Sequence, residues 1–327
     1  MIKRRFKALS DAAIGGGAVG LIRAFGWTDR RHTADFAGAL MRRIGPLLRE
    51  HRIGRDNLHA AFADKSDAEI EQILAGVWDN LGRVAVEFAH LDEFRLAGTG
   101  APTANEVVYS PQTRARADRI LHGGRAVIGF AAHLANWELP AVCTRQLISN
   151  SAVLYRRPNI GVISDLVVKL RTPLMGELVA AGLDAPVRMA RLLQSGVHVG
   201  LLVDQFFIHG VEVTFFGRSC RTNPLAAVLA RQTECPLHGV RVVRLADRNR
   251  FSVELTDAIE PARDLDGRVN VQGTMQRITS VVEDWVHEHP EQWLWLHRRW
   301  RPPEGRAYGE PKRRLKRRPI RPEKAKR

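Results

Sequence analysis

Hydrophobic positions along this chain change their period once. Up to about residue 92 they recur at spacings of three and four. Residues 33–50 predict an amphipathic helix, and residues 66–92 a longer one, in which Ile70, Leu74, Val77, Leu81, Val84, Phe88 and Leu91 form one continuous apolar face. Ser66 and Glu69 stand at its start with the spacing of a capping box. From about residue 104 short β-branched runs alternate with helical stretches. Strands are predicted at 105–109, 126–131, 151–155, 197–203, 212–216, 237–243 and 250–255. Helices are predicted near 111–121, 137–148, 160–172, 187–194, 224–232 and 270–288. This alternation implies an α/β fold, a largely parallel sheet flanked by helices, preceded by a helical region. The expected organisation is a helical, membrane-associating region over 1–95, an α/β domain over 96–303 and a basic tail over 304–327. Open parallel sheets carry their chemistry beyond the carboxyl ends of the strands. His133, Arg156 and Asp204 each stand just past a predicted strand.

Charge and composition change this picture at the two ends. The chain has 327 residues and a net charge of +15, and the segment from Lys312 to Arg327 holds ten Lys and Arg against one Glu, so nine of those charges sit in the tail. Such a segment cannot bury itself and suits a polyanionic neighbour. At the other end a basic start turns apolar, but the uncharged stretch from Ala12 to Ile22 is shorter than the roughly 20 apolar residues a bilayer span needs. Two readings remain for it: an interfacial segment inserting Phe6, Leu9, Ile14, Leu21, Phe25 and Trp27, or an ordinary buried first helix. Three scattered cysteines with no CxxC pair exclude a disulfide framework, and no metal-ligand spacing is visible.

The candidate chemistry centres on residues 126–140, AVIGFAAHLANWELP. An apolar run ends at His133, and Glu138 follows five residues later. A neutral imidazole removes the proton of an attacking hydroxyl, and a carboxylate nearby fixes its tautomer. The competing reading is a helix-capping histidine with Glu138 in a first turn. There is no GxSxG elbow, no phosphate-cradling glycine loop, and no cysteine in a catalytic context. This favours direct transfer from an activated donor over a covalent enzyme intermediate. Arg156 and Arg157 at a strand end suit a phosphate or a developing oxyanion, or a solvated loop. Asp204-Gln205 close another apolar strand, where Asp204 orients an arginine or substrate, or makes a turn. Phe215-Phe216 suit an apolar channel or the core. Gln292 to Arg301 interleaves three tryptophans with His297, Arg298, Arg299 and Arg301, the composition of a single-strand nucleic-acid groove or of a membrane-interface belt. No RRM, KH or helix-turn-helix signature accompanies it.

Asn57-Leu58, HLANWE at 133–138, YRRPN at 155–159, DQ at 204–205, TFFG at 214–217 and QWLWLHRRW at 292–300 occur in this order. The set resembles the bacterial lipid A late (secondary) acyltransferases, the lauroyl and myristoyl transferases, from about residue 50 to 302. The resemblance implies a glycerol-phosphate-acyltransferase-like fold with an N-terminal membrane-associated helical region. It implies transfer of a fatty acyl chain from acyl-carrier protein to a hydroxyl of a lipid A precursor, Kdo-lipid A, at the cytoplasmic face of the inner membrane. By match to the family's motifs, His133 is the base, Glu138 its partner, and Arg156 contacts phosphate or the thioester oxyanion. Asp204 supports that arginine or positions the acceptor. Asn136, Trp137, Arg157, Gln205, Phe215, Phe216, Arg298 and Arg299 are the expected substrate contacts. No cofactor, metal or nucleic acid is expected, because a thioester is already activated. The partners are acyl-carrier protein, the lipid precursor and an anionic membrane surface, which the tail would tether. Two further readings share these features: an acyltransferase acting on another glycolipid or aminolipid, and a non-catalytic polyanion-binding protein.

Overall fold

The computed structural model describes residues 15–98, 105–158 and 160–300. Phe6, Leu9 and Ile14 of the expected interfacial segment, and the basic tail, lie outside them. Helix α1 (residues 15–25), α2 (Arg30–Ile44), α3 (Arg49–Ala61) and α4 (Asp67–Glu87) precede the sheet. The expected helix over 33–50 is broken at Gly45-Pro46 by a 3-10 turn, because Pro46 has no N–H to continue the ladder, and α3 starts beyond it. The capping box is formed, with Ser66 Oγ accepting from the Glu69 N–H and Glu69 accepting from the Ser66 N–H at 2.8 Å. The helix it starts ends at Glu87, and the chain tightens into a 3-10 segment, Phe88–Glu93, earlier than the apolar periodicity suggested.

The strands and helices that follow are β1 (Arg95–Leu96), β2 (Asn105–Val108), α5 (Pro111–His122), β3 (Ile128–Ala131), α6 (Leu139–Leu147) and β4 (Ser151–Tyr155). They continue with α7 (Gly161–Met175), β5 (Glu177–Ala180), α8 (Ala185–Gln194), β6 (His198–Leu202), β7 (Phe206–Phe215) and β8 (Arg218–Thr222). The last are α9 (Leu225–Thr233), β9 (Leu237–Arg244), β10 (Phe251–Ile259) and α10 (Val271–Glu288). Eight strands form one sheet in the order β1-β2-β10-β9-β3-β6-β4-β5, parallel throughout except between β9 and β10. The expected α/β architecture is present. The expected strand at 212–216 is the end of β7, which pairs with β8 in a separate hairpin outside that sheet.

The two sheet faces bury different cores. Ile128, Phe130, Val199 and Leu201 point to one face, in the main cluster with residues of α8, α9 and α10. Val153, Val240, Val242 and Val253 belong to the other, with Leu139, Val142 and Cys143 of α6. After α10 a 3-10 turn (Pro290–Gln292) leads into a strap, residues 293–300. Its backbone bridges Leu134 at Trp293, and Asn57 on α3 donates to the carbonyls of Trp295 and His297, both at 2.8 Å. No helix among the described residues is long and apolar enough to cross a membrane.

Candidate active site

The site stands at the carboxyl ends of β3 and β6. Ala131 pairs with Leu202 in register, so the residues two places further on, His133 and Asp204, emerge side by side. His133 Nδ1 donates to Asp204 Oδ1 at 2.8 Å, and the His133 backbone N–H donates to Asp204 Oδ2, also at 2.8 Å. Trp293 Nε1 in the strap donates to the same Oδ2 at 2.8 Å. Burial would raise the Asp204 carboxyl, but the charge and hydrogen bonds of His133, with a smaller contribution from His297, hold it well below the usual carboxylate range. An ionised Asp204 keeps the proton on His133 Nδ1, which leaves Nε2 as the free base. Nε2 accepts from Gln205 Nε2 at 3.2 Å, at the wall of a cavity of about 1320 Å³ that both residues line.

The turn carrying His133 is held from outside. Ala135 adopts a left-handed backbone, φ 46°, a conformation that costs a residue with a β-carbon roughly 1–2 kcal/mol. Its N–H donates to the Gln292 carbonyl and its carbonyl accepts from Asn80 Nδ2. The His133 carbonyl accepts from the Leu294 N–H. Beneath the turn Arg244 binds Glu87 at 2.5 Å and Asn80 at 2.9 Å, all three buried.

Several expected roles change on this geometry. Glu138 is not the partner of His133. Its carboxylate receives Arg171 of α7 in a two-point pair, Nε to Oε2 at 2.8 Å and Nη2 to Oε1 at 2.5 Å. Five residues of sequence separation put Glu138 at the head of α6, turned toward α7, whereas strand pairing brings up Asp204 from 71 residues away. Asp204 therefore serves the histidine and not Arg156. Arg156 and Arg157 are exposed at the cavity wall, after β4. Asn136 is fully buried, donates to Glu87 at 2.9 Å and accepts from the Glu138 N–H, so it shapes the turn instead of meeting substrate. Trp137 does line the cavity, its ring 5.3 Å from that of His133. Phe215 and Phe216 are buried among Phe62, Trp295 and Trp300, not at the cavity wall. The strap tryptophans Trp293, Trp295 and Trp300 are buried too, which removes the interface-belt and nucleic-acid readings. Arg299 is buried over the Phe215 ring and donates to the Arg221 carbonyl, and Arg298 is not among the cavity residues.

Arg171 and Trp293 are the site residues that sequence reasoning missed. Arg171 lies in a helix of unremarkable pattern. Trp293 stood within a singled-out motif, but its contact with Asp204 spans 89 residues. Two of the three thiols are disfavoured as nucleophiles, because burial pushes Cys143 up to about 12 and raises Cys220, and Cys235 is not among the cavity residues.

Residues 2–302 match the family described as bacterial lipid A biosynthesis acyltransferase. The chain belongs to that family. It is an acyltransferase of lipid A synthesis. The match covers every element described above up to the strap, so His133, Asp204 and the Glu138–Arg171 pair all lie within the family's span. No curated protein matches the sequence closely.

Proposed function

We propose that this acyltransferase moves a fatty acyl chain from an acyl-carrier-protein thioester directly to a hydroxyl of Kdo-lipid A, with His133 as general base. The observation that carries the reading is the pair His133–Asp204 at the mouth of a large, mostly apolar cavity. The acceptor hydroxyl takes the place of the Gln205 amide at Nε2. Its oxygen attacks the thioester carbonyl as Nε2 removes the proton, and Asp204 stabilises the imidazolium. The tetrahedral intermediate collapses, the carbon–sulfur bond breaks, and the departing thiolate takes the proton back from Nε2. An ester and a free carrier thiol result, with no covalent enzyme species.

The guanidiniums divide the remaining work. Arg156 and Arg157, exposed at the wall, bind phosphate oxygens of the acceptor or the developing oxyanion. Arg171, oriented in advance by Glu138, presents a fixed positive wall to the same space. The cytoplasmic face of the inner membrane is the place where both substrates meet. Leu21, Trp27, Phe36 and Leu47 are exposed around α1, α2 and the turn after it, with arginines between them, as an interfacial surface requires. The test is transfer by purified protein. His133→Ala should lower turnover on the order of 10²–10⁴-fold while leaving retention on anionic vesicles intact. Unchanged turnover would refute the base assignment.

A further inference from the structure

At the centre of the sheet two glycines face each other. Gly129 of β3 pairs directly with Gly200 of β6, and both line the cavity. Their neighbours Ile128, Phe130, Val199 and Leu201 are buried against the opposite face, whereas both glycines are only half-buried. Glycine weakens a strand interior and usually marks a bulge or a close approach. No backbone demand explains this pair, since neither residue has a positive φ. Packing does not demand it either. A β-carbon on Gly200 would meet nothing nearer than the Ala152 carbonyl oxygen at 3.9 Å, and one on Gly129 nothing nearer than the Val199 carbonyl oxygen at 3.6 Å. What the two missing side chains preserve is open space on the cavity side.

That space continues downward from the chemistry. Ala131 and Leu202 form the step below His133, the glycine pair the next, and Val127, His198 and Ser151 the last. That step carries two polar side chains beside Val127, and the glycine step carries one, His238 of β9, whose ring nitrogen is already paired with the Thr256 carbonyl. Ser151 is buried with its hydroxyl unpartnered, and His198 Nδ1 accepts from the Val127 N–H. Burying a hydrocarbon end against these groups is unfavourable. At ~3.3 Å per strand residue the glycines lie about 13 Å from His133 and the polar step about 20 Å, the lengths of roughly ten and sixteen extended methylene groups.

We propose that the acyl chain of the donor lies in this trough over Gly129 and Gly200, and that the glycine pair and the Ser151–His198 step together set its length. The favoured chain passes the glycines and ends before the polar step, a saturated chain near dodecanoyl. The inference rests on the acyl-transfer reading above and adds the residues that select the donor.

The test compares octanoyl, dodecanoyl and hexadecanoyl thioesters of acyl-carrier protein in turnover, and the three free fatty acids in binding to the protein by native mass spectrometry. Gly200→Val should leave octanoyl turnover and binding near wild type and lower both for dodecanoyl and hexadecanoyl at least tenfold. Because valine suits a strand better than glycine, its melting temperature should not fall. Gly129→Ala is the milder variant and should shift the profile in the same direction. His198→Leu should raise the hexadecanoyl-to-dodecanoyl ratio severalfold. An unchanged profile in Gly200→Val, or a parallel loss for all three chains, overturns the proposal. Wild type that binds the fatty acids with this variant dependence but transfers none would sink the acyl-transfer reading and leave the trough standing. Wild type that binds none of the three acids would sink the trough.

Discussion

Asp204 accepts three hydrogen bonds while almost wholly buried, and Glu138, also buried, accepts two from one guanidinium. Two carboxylates within one site thus have separate duties. Asp204→Asn removes the charge that fixes the imidazole tautomer, and turnover should fall on the order of 10²–10⁴-fold. Glu138→Gln and Arg171→Gln act on one contact, so the double variant should be no worse than the worse single one. Additive losses in transition-state free energy, measured as kcat/KM, would show that the pair does not function as a unit. His297 carries a different prediction. Burial pushes its imidazole down to about 4 from an ordinary 6.5, against the opposing pull of Asp204. The unfolded chain therefore binds this proton first as pH falls. Stability present above about pH 6.5 should drain away toward about pH 4, on the order of 3 kcal/mol from this group. Urea midpoints across that range should flatten measurably in His297→Gln; an equally steep fall would place the titration elsewhere.

At the scale of elements, the site depends on pieces that are remote in sequence and meet under one turn. Helix α4 supplies Asn80 and Glu87, β9 supplies Arg244, and the 3-10 turn before the strap supplies Gln292, whose carbonyl and side chain bind Ala135 and the Arg244 backbone respectively. Glu87 has no exposure, so it cannot exchange its partner for water. Arg244→Met should cost about 3–5 kcal/mol, because it leaves a buried carboxylate without its cation. A loss under 1 kcal/mol in chemical unfolding would mean that the network relaxes. The strap's composition does not reveal its place in the fold, for a physical reason. Tryptophan alternating with arginine has the same composition at a lipid interface and in a core where guanidiniums stack on rings. The contact of Arg299 over Phe215 decides for the core. In the same way the Phe215-Phe216 pair is equally apolar in a channel and in a cluster, and only packing against Phe62 and Trp300 distinguishes them.

For the molecule as a whole, the exposed side chains of α1 and α2 and the charge of the tail bear on one proposal, that the protein works against a membrane surface. Trp27, Phe36 and Leu47 are 87%, 68% and 83% exposed. Replacing Trp27 and Phe36 with serine should weaken binding to neutral and anionic vesicles alike. Deleting residues 312–327 removes nine net positive charges and should weaken binding to anionic vesicles alone, by roughly 1 kcal/mol for each basic residue that lies near the bilayer. Cosedimentation at low and high salt separates the two contributions. Equal binding of the shortened and full chains to anionic vesicles would exclude a tether.

By itself the sequence determined the α/β alternation, the capping box, and the two strands that end just before His133 and Asp204. These follow from local periodicity and turn chemistry, which act over a few residues. The tertiary structure decided which carboxylate serves the imidazole. Spacing along the chain favoured Glu138, but hydrogen-bonded register between β3 and β6 sets Asp204 beside the ring and leaves Glu138 to Arg171. It also decided that two unremarkable glycines stand opposite each other over a cavity, since strand pairing, not sequence distance, makes neighbours of positions 129 and 200.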